Sequence, residues 1–416
     1  MATNIWKCLV FAVVVLGAHA WAAPLVWHVS PEGRDSWSGT LATANAEKTD
    51  GPFATLMAAR DASRKQGGKP RQIVLSTGRF YLKETLVLDA RDSHLTLKGA
   101  GQGKTVVYGG RRLDGWLKDG DRFWSVKLPA DKPDWSFRLL VVNDRVQDRA
   151  RYPAEGYLEH ETKFPVRWMS TAGGGWERKP TLQEYTTMVY KKGDLPADLS
   201  VESAEVTICH MWDESTLPIA KHDPIKQTLV FARRGAHPPG AFNVRRYAIW
   251  NTRGGMTRPG QWYLDKRLRK VYYWPREGED MGAATVVAPV IVKIISVTGN
   301  KKGKCTGLTI RGMTISTGDA SAKRAGFGGA SWPGAINTDG AGGVRIENVE
   351  VTNVGGWGVR GGANQVVNCH LHHLGGGGVK YWGEGLVEGT HIHDIGLVSA
   401  NCIGIMGGGV KSVIRR

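Results

Sequence analysis

The sequence predicts an all-β protein whose main body is a right-handed parallel β-helix, with an N-terminal cap helix and an inserted antiparallel β domain. The first observation is a repeat, because Asn348–Gly355 is echoed by Asn368–Gly375 and by Gly389–Gly396, at spacings of 20 and 21 residues. The second is that many of the 55 glycines cluster between these segments, where turns need positive φ. The third is that the repeat disappears between Gly110 and about Val286. Short alternating units of this kind cannot bury an apolar face alone, so they stack as successive coils.

Residues 1–22 have the pattern of a signal peptide. Lys7 precedes an apolar run from Leu9 to Leu16, and Ala20-Trp21-Ala22 has the small-x-small pattern of a cleavage site. The apolar run is shorter than the ~20 residues that a membrane-spanning helix needs. We therefore predict a secreted or periplasmic protein that does not insert into a membrane once the signal is removed.

Residues 23–110 are predicted to form the cap and the first coils. Pro52–Arg64 has the pattern of a short amphipathic helix, with Pro at its first turn and Phe53, Leu56 and Met57 on one side. Such a helix would cover the exposed strand edges at the start of the solenoid. Leu95–Gly99 resembles the later segment Leu308–Ile315, which indicates that both belong to the same stack.

Residues 111–286 are predicted to be the inserted domain, because the composition shifts toward Trp, Tyr, Arg and Pro. Leu139–Val146 places Asn143-Asp144 between two β-prone runs, and Trp262–Trp274 does the same around Asp265-Lys266. Both are hairpin signals, and the two ends of the insert should lie near one another. Residues 287–416 resume the coils, and the strand-like Val413–Arg416 leads us to expect further coils beyond it.

Charge and cysteine content restrict the class of partner. The formal net charge of +17, which becomes +16 without Lys7, favours a polyanion such as an acidic polysaccharide. Export argues against nucleic acid as the target. The cysteines that follow the signal peptide are scattered singly and form no CxxC pair, so a zinc or redox motif is not indicated and one disulfide is possible but not implied. They are Cys209, Cys305, Cys369 and Cys402. No motif for a nucleotide, redox or other cofactor has the required structural context, so none is predicted.

The aligned repeats assign an inside and an outside to each strand. Val351, Leu371 and Ile392 share one column that must face the core, so their neighbours face outward. The outward columns are Glu350, His370 and His391, and then Thr352, His372 and His393. Three interpretations remain open: part of a sugar-binding groove, a metal site, or a solvated sheet face. Only Glu350 lies in line to support metal ligands, so no metal site is assigned.

Other side chains near these columns are candidates for contact with a sugar. A third column at the strand ends consists of Asn353, His373 and Asp394, which should hydrogen-bond the turn backbone. Most of the 16 tryptophans should pack in the core or in hairpins. The aromatic residues beside glycine-rich turns are the better groove candidates, namely Trp332, Trp357, Tyr381 and Trp382.

Several segments resemble a known group of proteins. Val26–Ser36 followed by Gly51–Leu56 is similar to the opening of exported right-handed β-helix proteins, of the pectin-lyase-like fold, that act on polysaccharide. The insert resembles the insertion domain of glycoside hydrolase family 141 in three places, namely Phe137–Asn143, Arg149–Pro153 and Gly260–Asp265 with Tyr272–Pro275. The resemblance implies an exported glycosidase acting on plant cell-wall polysaccharide or its oligosaccharides, either fucosylated pectin side chains or xylan.

The resemblance also bears on the catalytic residues. A glycosidase needs two carboxyl groups about 5–5.5 Å apart for retention or about 6.5–9.5 Å apart for inversion. The family resemblance implies that this pair lies on later coils, so we expect it beyond Arg416; within the sequence, Asp394 and Glu350 are the candidates. This placement predicts little or no turnover by residues 23–416. Two alternatives stay open: a polysaccharide lyase on the same fold and a non-catalytic carbohydrate-binding protein.

Overall fold

The computed structural model describes residues 23–67, 69–170, 174–299, 303–321, 326–362, 364–409 and 411–416. Over these residues the chain is mostly β-structure, as predicted. Among them, no helix has both the length and the apolar character needed to cross a bilayer. The predicted signal peptide, residues 1–22, lies outside the described residues.

The largest element is a sheet of twelve strands, which we call the long sheet. Its strands are Leu25–Val29, Arg71–Leu75, Gly78–Tyr81, Leu95–Lys98, Thr105–Tyr108, Leu308–Gly318, Val344–Val354, Asn364–Val367, His370–Leu374, Leu386–Glu388, His391–Ile392 and Val413–Arg415. Every pair in it is parallel, and each strand pairs with the next pass of the chain. The registers Glu350↔His370↔His391 are those that the repeat predicts.

A second parallel sheet has six strands, and we call it the second sheet. They are Leu86–Leu88, Ile295–Val297, Gly334–Thr338, Trp357–Gly362, Val379–Trp382 and Ile405–Met406. The chain alternates between the two sheets on each pass, and their inner faces share one apolar core. Val351 and Leu371 of the long sheet and Val359 of the second sheet are each 0% exposed. Alternation of side chains along each strand therefore leaves the neighbouring residues facing outward.

Left-handed residues recur where the strands of the long sheet bend. Asn348 and Asn368 have φ of 51°, and Gly389 has φ of 54° at the equivalent position of the next pass. Asparagine and glycine adopt this conformation at low cost, which explains why they repeat at these positions. The repeat seen in the sequence is thus partly a repeat of backbone conformation.

The N-terminal helix is shorter than predicted. It spans Leu56–Arg64, with Thr55 as its N-cap, so Pro52 and Phe53 precede it. Phe53 pairs with Val29 through an isolated parallel bridge instead. The apolar side is as expected, because Phe53 and Leu56 are buried in the shared core and Met57 packs against it. Beyond it, one short helix, Leu182–Thr186, and four 3-10 turns at Ala90–Asp92, Ala241–Asn243, Arg253–Gly255 and Phe327–Gly329 complete the described helical structure.

Residues between Gly110 and Pro289 form separate, mostly antiparallel sheets. The first contains Gly110–Arg112, Val141–Val142, Arg145–Val146 and Val286–Pro289; the second contains Leu117–Asp119, Phe123–Lys127, Asp148–Arg149, Gln261–Asp265 and Lys270–Tyr273. The third contains Arg151–Tyr152, Leu158–Glu159, Thr187–Val189, Glu205–Cys209, Glu214–Asp223, Thr228–Phe231 and Arg246–Trp250; a fourth pairs Trp168–Met169 with Gly175–Trp176. Two apolar clusters separate from the main core support these sheets.

The two predicted hairpins are present. Val141–Val142 pairs with Arg145–Val146 around Asn143-Asp144, whose φ values of 50° and 62° are those of a tight hairpin turn. The hairpin after Trp262 differs from the prediction, because Asp265 pairs with Lys270 and the loop is Lys266–Arg269. The ends of the insert meet as expected, since Gly110–Arg112 pairs with Val286–Pro289.

The described cysteines carry no disulfide. Cys209, Cys305 and Cys369 are buried free thiols, and Cys402 is a half-buried one. The disulfide left open by the sequence is therefore not present.

A buried charge network joins the insert to the long sheet. Glu205 is 4% exposed and pairs with Arg138 at 2.7 Å and with Arg149 at 2.5 Å. Arg138 also reaches the segment directly after the strand Leu308–Gly318, because its backbone N–H donates to Asp319 Oδ1 at 3.1 Å and its guanidinium donates to the carbonyl of Ser321 at 3.0 Å. The network thus fixes the insert against Leu308–Gly318.

Replacement of Asp319 by asparagine should make stability less dependent on pH. Burial raises the pKa of Asp319 from 3.8 to about 6, so its protonation stabilises the fold below pH 3.8 and this contribution is lost as the pH rises through about 6. Asparagine stays neutral, and its Oδ1 can accept both N–H groups, from Arg138 and Ala320, that Asp319 Oδ1 accepts. Between about pH 4 and about pH 7, Asp319→Asn should gain on the order of 1–3 kcal/mol relative to the parent protein.

Urea unfolding at the two pH values measures this difference. The exposed Asp121→Asn serves as the control and should show no such gain. If the difference in unfolding free energy between Asp319→Asn and the parent were the same at both pH values, the raised pKa of Asp319 would be contradicted.

Candidate functional site

The outward face of the long sheet carries a strip of polar side chains across several passes of the chain. Thr314 pairs with Glu350, Glu350 with His370, and His370 with His391. In the next column Ser316 pairs with Thr352, and Thr352 with His372. The parallel register stacks these side chains at strand spacing, about 4.8 Å, so that they can interact along the sheet. The four histidines that the sequence placed outward thus lie together.

Glu350 and His372 form a half-buried pair within the strip. Their side chains are 22% and 14% exposed, and His372 Nε2 lies 3.0 Å from Glu350 Oε1. Thr314 donates to the other oxygen of Glu350 at 2.5 Å. If His372 Nε2 donates to Glu350, its Nδ1 is left to accept from His373 Nδ1 at 2.6 Å. The contacts therefore determine the tautomers along this chain of groups.

The remaining histidines lie further along the same strip. His370 Nε2 and His393 Nε2 are 2.7 Å apart, and the rings of His370 and His391 stack with an interplanar angle of 3°. His393 Nδ1 lies 2.9 Å from Asp394 Oδ2. In two groups of three side chains, one nitrogen or oxygen atom from each residue lies close enough to the others to bind one metal ion. The groups are His370, His391 and His393, and Glu350, His370 and His372.

The surroundings of the strip shift the pKa values of Glu350, His370 and His373. The hydrogen bond from His372 lowers the pKa of Glu350, and the hydrogen bond from Thr314 lowers it further. Together they outweigh burial, which acts in the opposite direction. Burial and the neighbouring His372 lower the pKa values of both His370 and His373. Near neutral pH, Glu350 is therefore ionised while His370 and His373 are uncharged.

A cavity of about 350 Å³ lies over the Glu350 end of the strip. Its floor includes Thr314, Glu350 and His372, and the hairpin turn of the insert, with Asp144 and Arg145, forms part of its wall. This hairpin is held in place by Asn353 of the long sheet. The Asn353 amide donates to the carbonyl of Asp144 at 2.8 Å and accepts from the N–H of Val146 at 3.2 Å. The insert thus contributes side chains to a site on the long sheet.

The carboxylate of Asp144 is committed to structural contacts. Arg79 Nη2 lies 2.7 Å from Asp144 Oδ2, and the hydroxyl of Tyr108 also donates to Asp144. Burial opposes ionisation of Asp144, but the hydrogen bonds from Arg79 and Tyr108 outweigh it and lower its pKa. Asp144 therefore stays ionised and contributes no acidic proton to the cavity.

The structure buries three of the four aromatic residues that the sequence suggested as sugar contacts. Trp357 is 0% exposed and its indole N–H donates to the carbonyl of Gly329 at 2.8 Å, while Trp332 packs against it. Tyr381 is 5% exposed in the main core. Only Trp382 presents its ring, at 40% exposed, with the guanidinium of Arg360 5.1 Å from the ring centroid. Trp382 belongs to the second sheet, away from the cavity.

The third predicted column has mixed roles. Asn353, His373 and Asp394 all have φ near +50°, which places them where the strands bend, as expected. Asn353 does hydrogen-bond turn backbone, that of the insert hairpin. Asp394 and His373 contact other side chains instead, because Asp394 bonds His393 and His373 bonds His372.

Sequence reasoning did not include Asp144, Arg145 or Thr314 among the site residues. Thr314 was recoverable, because it occupies the position equivalent to Glu350 in the earlier copy of the repeat. The hairpin turn was predicted, but its position over the outward face depends on contacts more than 200 residues apart in the chain, such as that between Asp144 and Asn353.

The fold is similar to that of a known structure. No protein-family model matches the chain, and no curated protein matches it. A solved structure described as a glycoside hydrolase superposes with a TM-score of 0.70 at 18% identity, covering 93% of this chain and 76% of the other. A second solved structure, described as the complex structure of XylC with xylose, superposes with a TM-score of 0.44 at 14% identity. The match covers 91% of this chain and 56% of the chain in that structure. The first likeness shows a shared fold.

Proposed function

We propose that the protein is an exported, carbohydrate-active protein that binds polysaccharide in the cavity over Glu350, and that its reaction is hydrolysis of plant cell-wall glycan. The observation that carries the proposal is the cavity itself. It combines an ionised carboxylate, imidazoles, hydroxyls and Arg145, which are groups that hydrogen-bond sugar hydroxyls. It lies between the long sheet and the insert hairpin, so both parts of the chain can contact a bound sugar.

The proposed architecture is a right-handed parallel β-helix over residues 23–110 and 287–416, with an inserted domain over residues 111–286. The parallel registers of the long and second sheets support it. So does the pairing of the strand before the insert, Thr105–Tyr108, with the strand after it, Leu308–Gly318. The likeness in fold to a glycoside hydrolase is consistent with this architecture.

Glu350 is suited to the role of a base, a nucleophile or an acceptor of hydroxyl groups. Hydrolysis of a glycosidic bond also needs a carboxyl that is protonated before the reaction. Among the described residues that line the cavity, the carboxyls are Glu350 and Asp144, and both have lowered pKa values. The cavity therefore supports binding more directly than bond cleavage, and binding should be measured separately from turnover.

One observation favours a polysaccharide lyase as the second candidate. A lyase abstracts a proton from a uronate with a neutral base, beside a cation that stabilises the sugar carboxylate. The uncharged imidazole of His373 lies in the same cavity as Arg145, which meets both needs. Products that absorb in the ultraviolet, as unsaturated uronates do, would identify this reaction.

Replacement of Glu350 by glutamine should weaken glycan binding about tenfold, since a hydrogen bond to a charged group contributes about 1.5–3 kcal/mol. Binding of pectin and xylan oligosaccharides is measured by calorimetry, and turnover by release of reducing ends. The matched control is Glu347→Gln, on the same strand, where the side chain pairs with Arg345 and does not line the cavity.

The outcomes separate the candidates. Release of reducing ends without ultraviolet absorption supports hydrolysis, and binding without turnover supports a non-catalytic carbohydrate-binding protein. Equal losses in Glu350→Gln and Glu347→Gln, or no binding of any glycan by the parent protein, would refute the cavity as the site.

A further inference from the structure

We propose that His370, His391 and His393 form a binding site for a divalent transition metal that prefers imidazole ligands, such as Zn²⁺. His370 and His391 project from adjacent strands of the long sheet, His393 directly follows the second of these strands, and one nitrogen from each lies within 4.8 Å of the others. Imidazole nitrogen is a preferred ligand of zinc, copper and nickel, and three protein ligands suffice for a site that keeps one position open.

The separation of two of the three nitrogens is close to what zinc requires, and the third lies within 4.8 Å of both. Zn–N bonds of about 2.0–2.1 Å in a tetrahedron place neighbouring nitrogens roughly 3.3 Å apart. His370 Nε2 and His393 Nε2 are 2.7 Å apart, so the pair has to open by only about 0.6 Å. Metal binding therefore requires the rings of His370 and His393 to move apart, while the paired backbone of His370 and His391 holds these two strands in register.

Asp394 supplies the support that metal-binding histidines need. Its Oδ2 lies 2.9 Å from His393 Nδ1, so the proton of His393 resides on Nδ1 and its Nε2 is an acceptor. That lone pair accepts the hydrogen bond from His370 Nε2, which a bound metal would replace. Such a carboxylate fixes both the tautomer and the orientation of the ring. This contact was not expected from the sequence, which placed only Glu350 in line with the histidines.

The alternative group of Glu350, His370 and His372 is less suitable. Both oxygens of Glu350 already accept hydrogen bonds, from His372 and from Thr314, so a metal bound through either oxygen would compete with one of them. By contrast, His391 is exposed and the side chain of His393 is 35% exposed. The open position of a metal at the first group would therefore face solvent, where it can take an oxygen ligand from water or from an acidic sugar.

Metal binding is tested with the full chain prepared without a polyhistidine tag. Zn²⁺ is titrated by calorimetry, and Co²⁺ by the visible absorption that nitrogen ligation produces. We expect one equivalent to bind the parent protein, with at least a tenfold loss of affinity in His391→Ala and a 10- to 100-fold loss in Asp394→Asn, as is typical of supporting carboxylates. Asparagine tolerates the φ of 47° at this position, so Asp394→Asn should fold normally.

Two controls make the outcome decisive. His28→Ala removes a histidine from the first strand of the long sheet and should bind Zn²⁺ as the parent does, and Glu350→Gln should do the same. Absence of Zn²⁺ and Co²⁺ binding by the parent protein would overturn the proposal. So would parent-like affinity in His391→Ala, or a loss in Glu350→Gln that exceeds the loss in His391→Ala, since the second result would place the metal at the other group.

Discussion

Replacement of Glu205 by alanine is expected to lower the free energy of unfolding by about 3–5 kcal/mol, because it leaves buried arginines without their partner. The side chains of Arg138 and Arg149 are 11% and 10% exposed, and both bind Glu205. The attraction of these two guanidinium groups holds the pKa of Glu205 well below its usual range despite the opposing effect of burial. The loss should therefore destabilise the junction between the insert and the long sheet.

Urea or thermal unfolding measures the effect of Glu205→Ala. The control is the neighbouring Glu202→Ala, whose side chain is exposed and whose removal should change the unfolding free energy by less than about 0.5 kcal/mol. An effect of Glu205→Ala as small as that of the control would mean that the two arginines are hydrated or paired elsewhere, which contradicts the network.

Replacement of Trp357 by alanine should cost about 3–5 kcal/mol of stability, the range for a fully buried aromatic side chain. The indole of Trp357 is enclosed by Trp332 and by backbone of glycine-rich turns, and its N–H is satisfied by Gly329. Removing it leaves a cavity and takes away one of the two hydrogen bonds that the carbonyl of Gly329 accepts, the other coming from the backbone N–H of Trp332. The effect on glycan affinity of the remaining folded protein should be negligible.

Trp382→Ala is the matched comparison on the surface. Its ring is 40% exposed, so its loss should change stability by less than about 1 kcal/mol. Thermal unfolding and glycan binding are measured on both variants. If Trp357→Ala retained stability but lost glycan affinity, the assignment of Trp357 to the core would be wrong.

The periodic part of the sequence predicted the structure well, for a physical reason. In a stack of parallel strands each position repeats on every pass, so a spacing of 20 or 21 residues determines both the register and the orientation of side chains. Val351 and Leu371 are buried, and Glu350 aligns with His370, as the pattern requires. Local signals were also sufficient for the hairpin turn at Asn143-Asp144.

Two kinds of contact could not be predicted. The alternation rule places Asp394 on the opposite face from His393, but the φ of 47° at Asp394 breaks the alternation and brings its carboxylate to the His393 ring. Burial of Trp357 depends on the path of the glycine-rich loop that contains Gly329, and this path has no periodic signal. Both errors arise where the backbone leaves the regular strand.

The pairing of the two ends of the insert has a consequence for the order of folding. Val107 and Ile315 pair directly in the long sheet, yet about 200 residues separate them along the chain, and the entropic cost of closing a loop rises with its length. Once Gly110–Arg112 and Val286–Pro289 are joined, only short segments separate the paired ends from these two strands. Early formation of the insert would thus convert a slow, long-range closure into a local one, so that the second part of the stack can add to the first as if the chain were continuous.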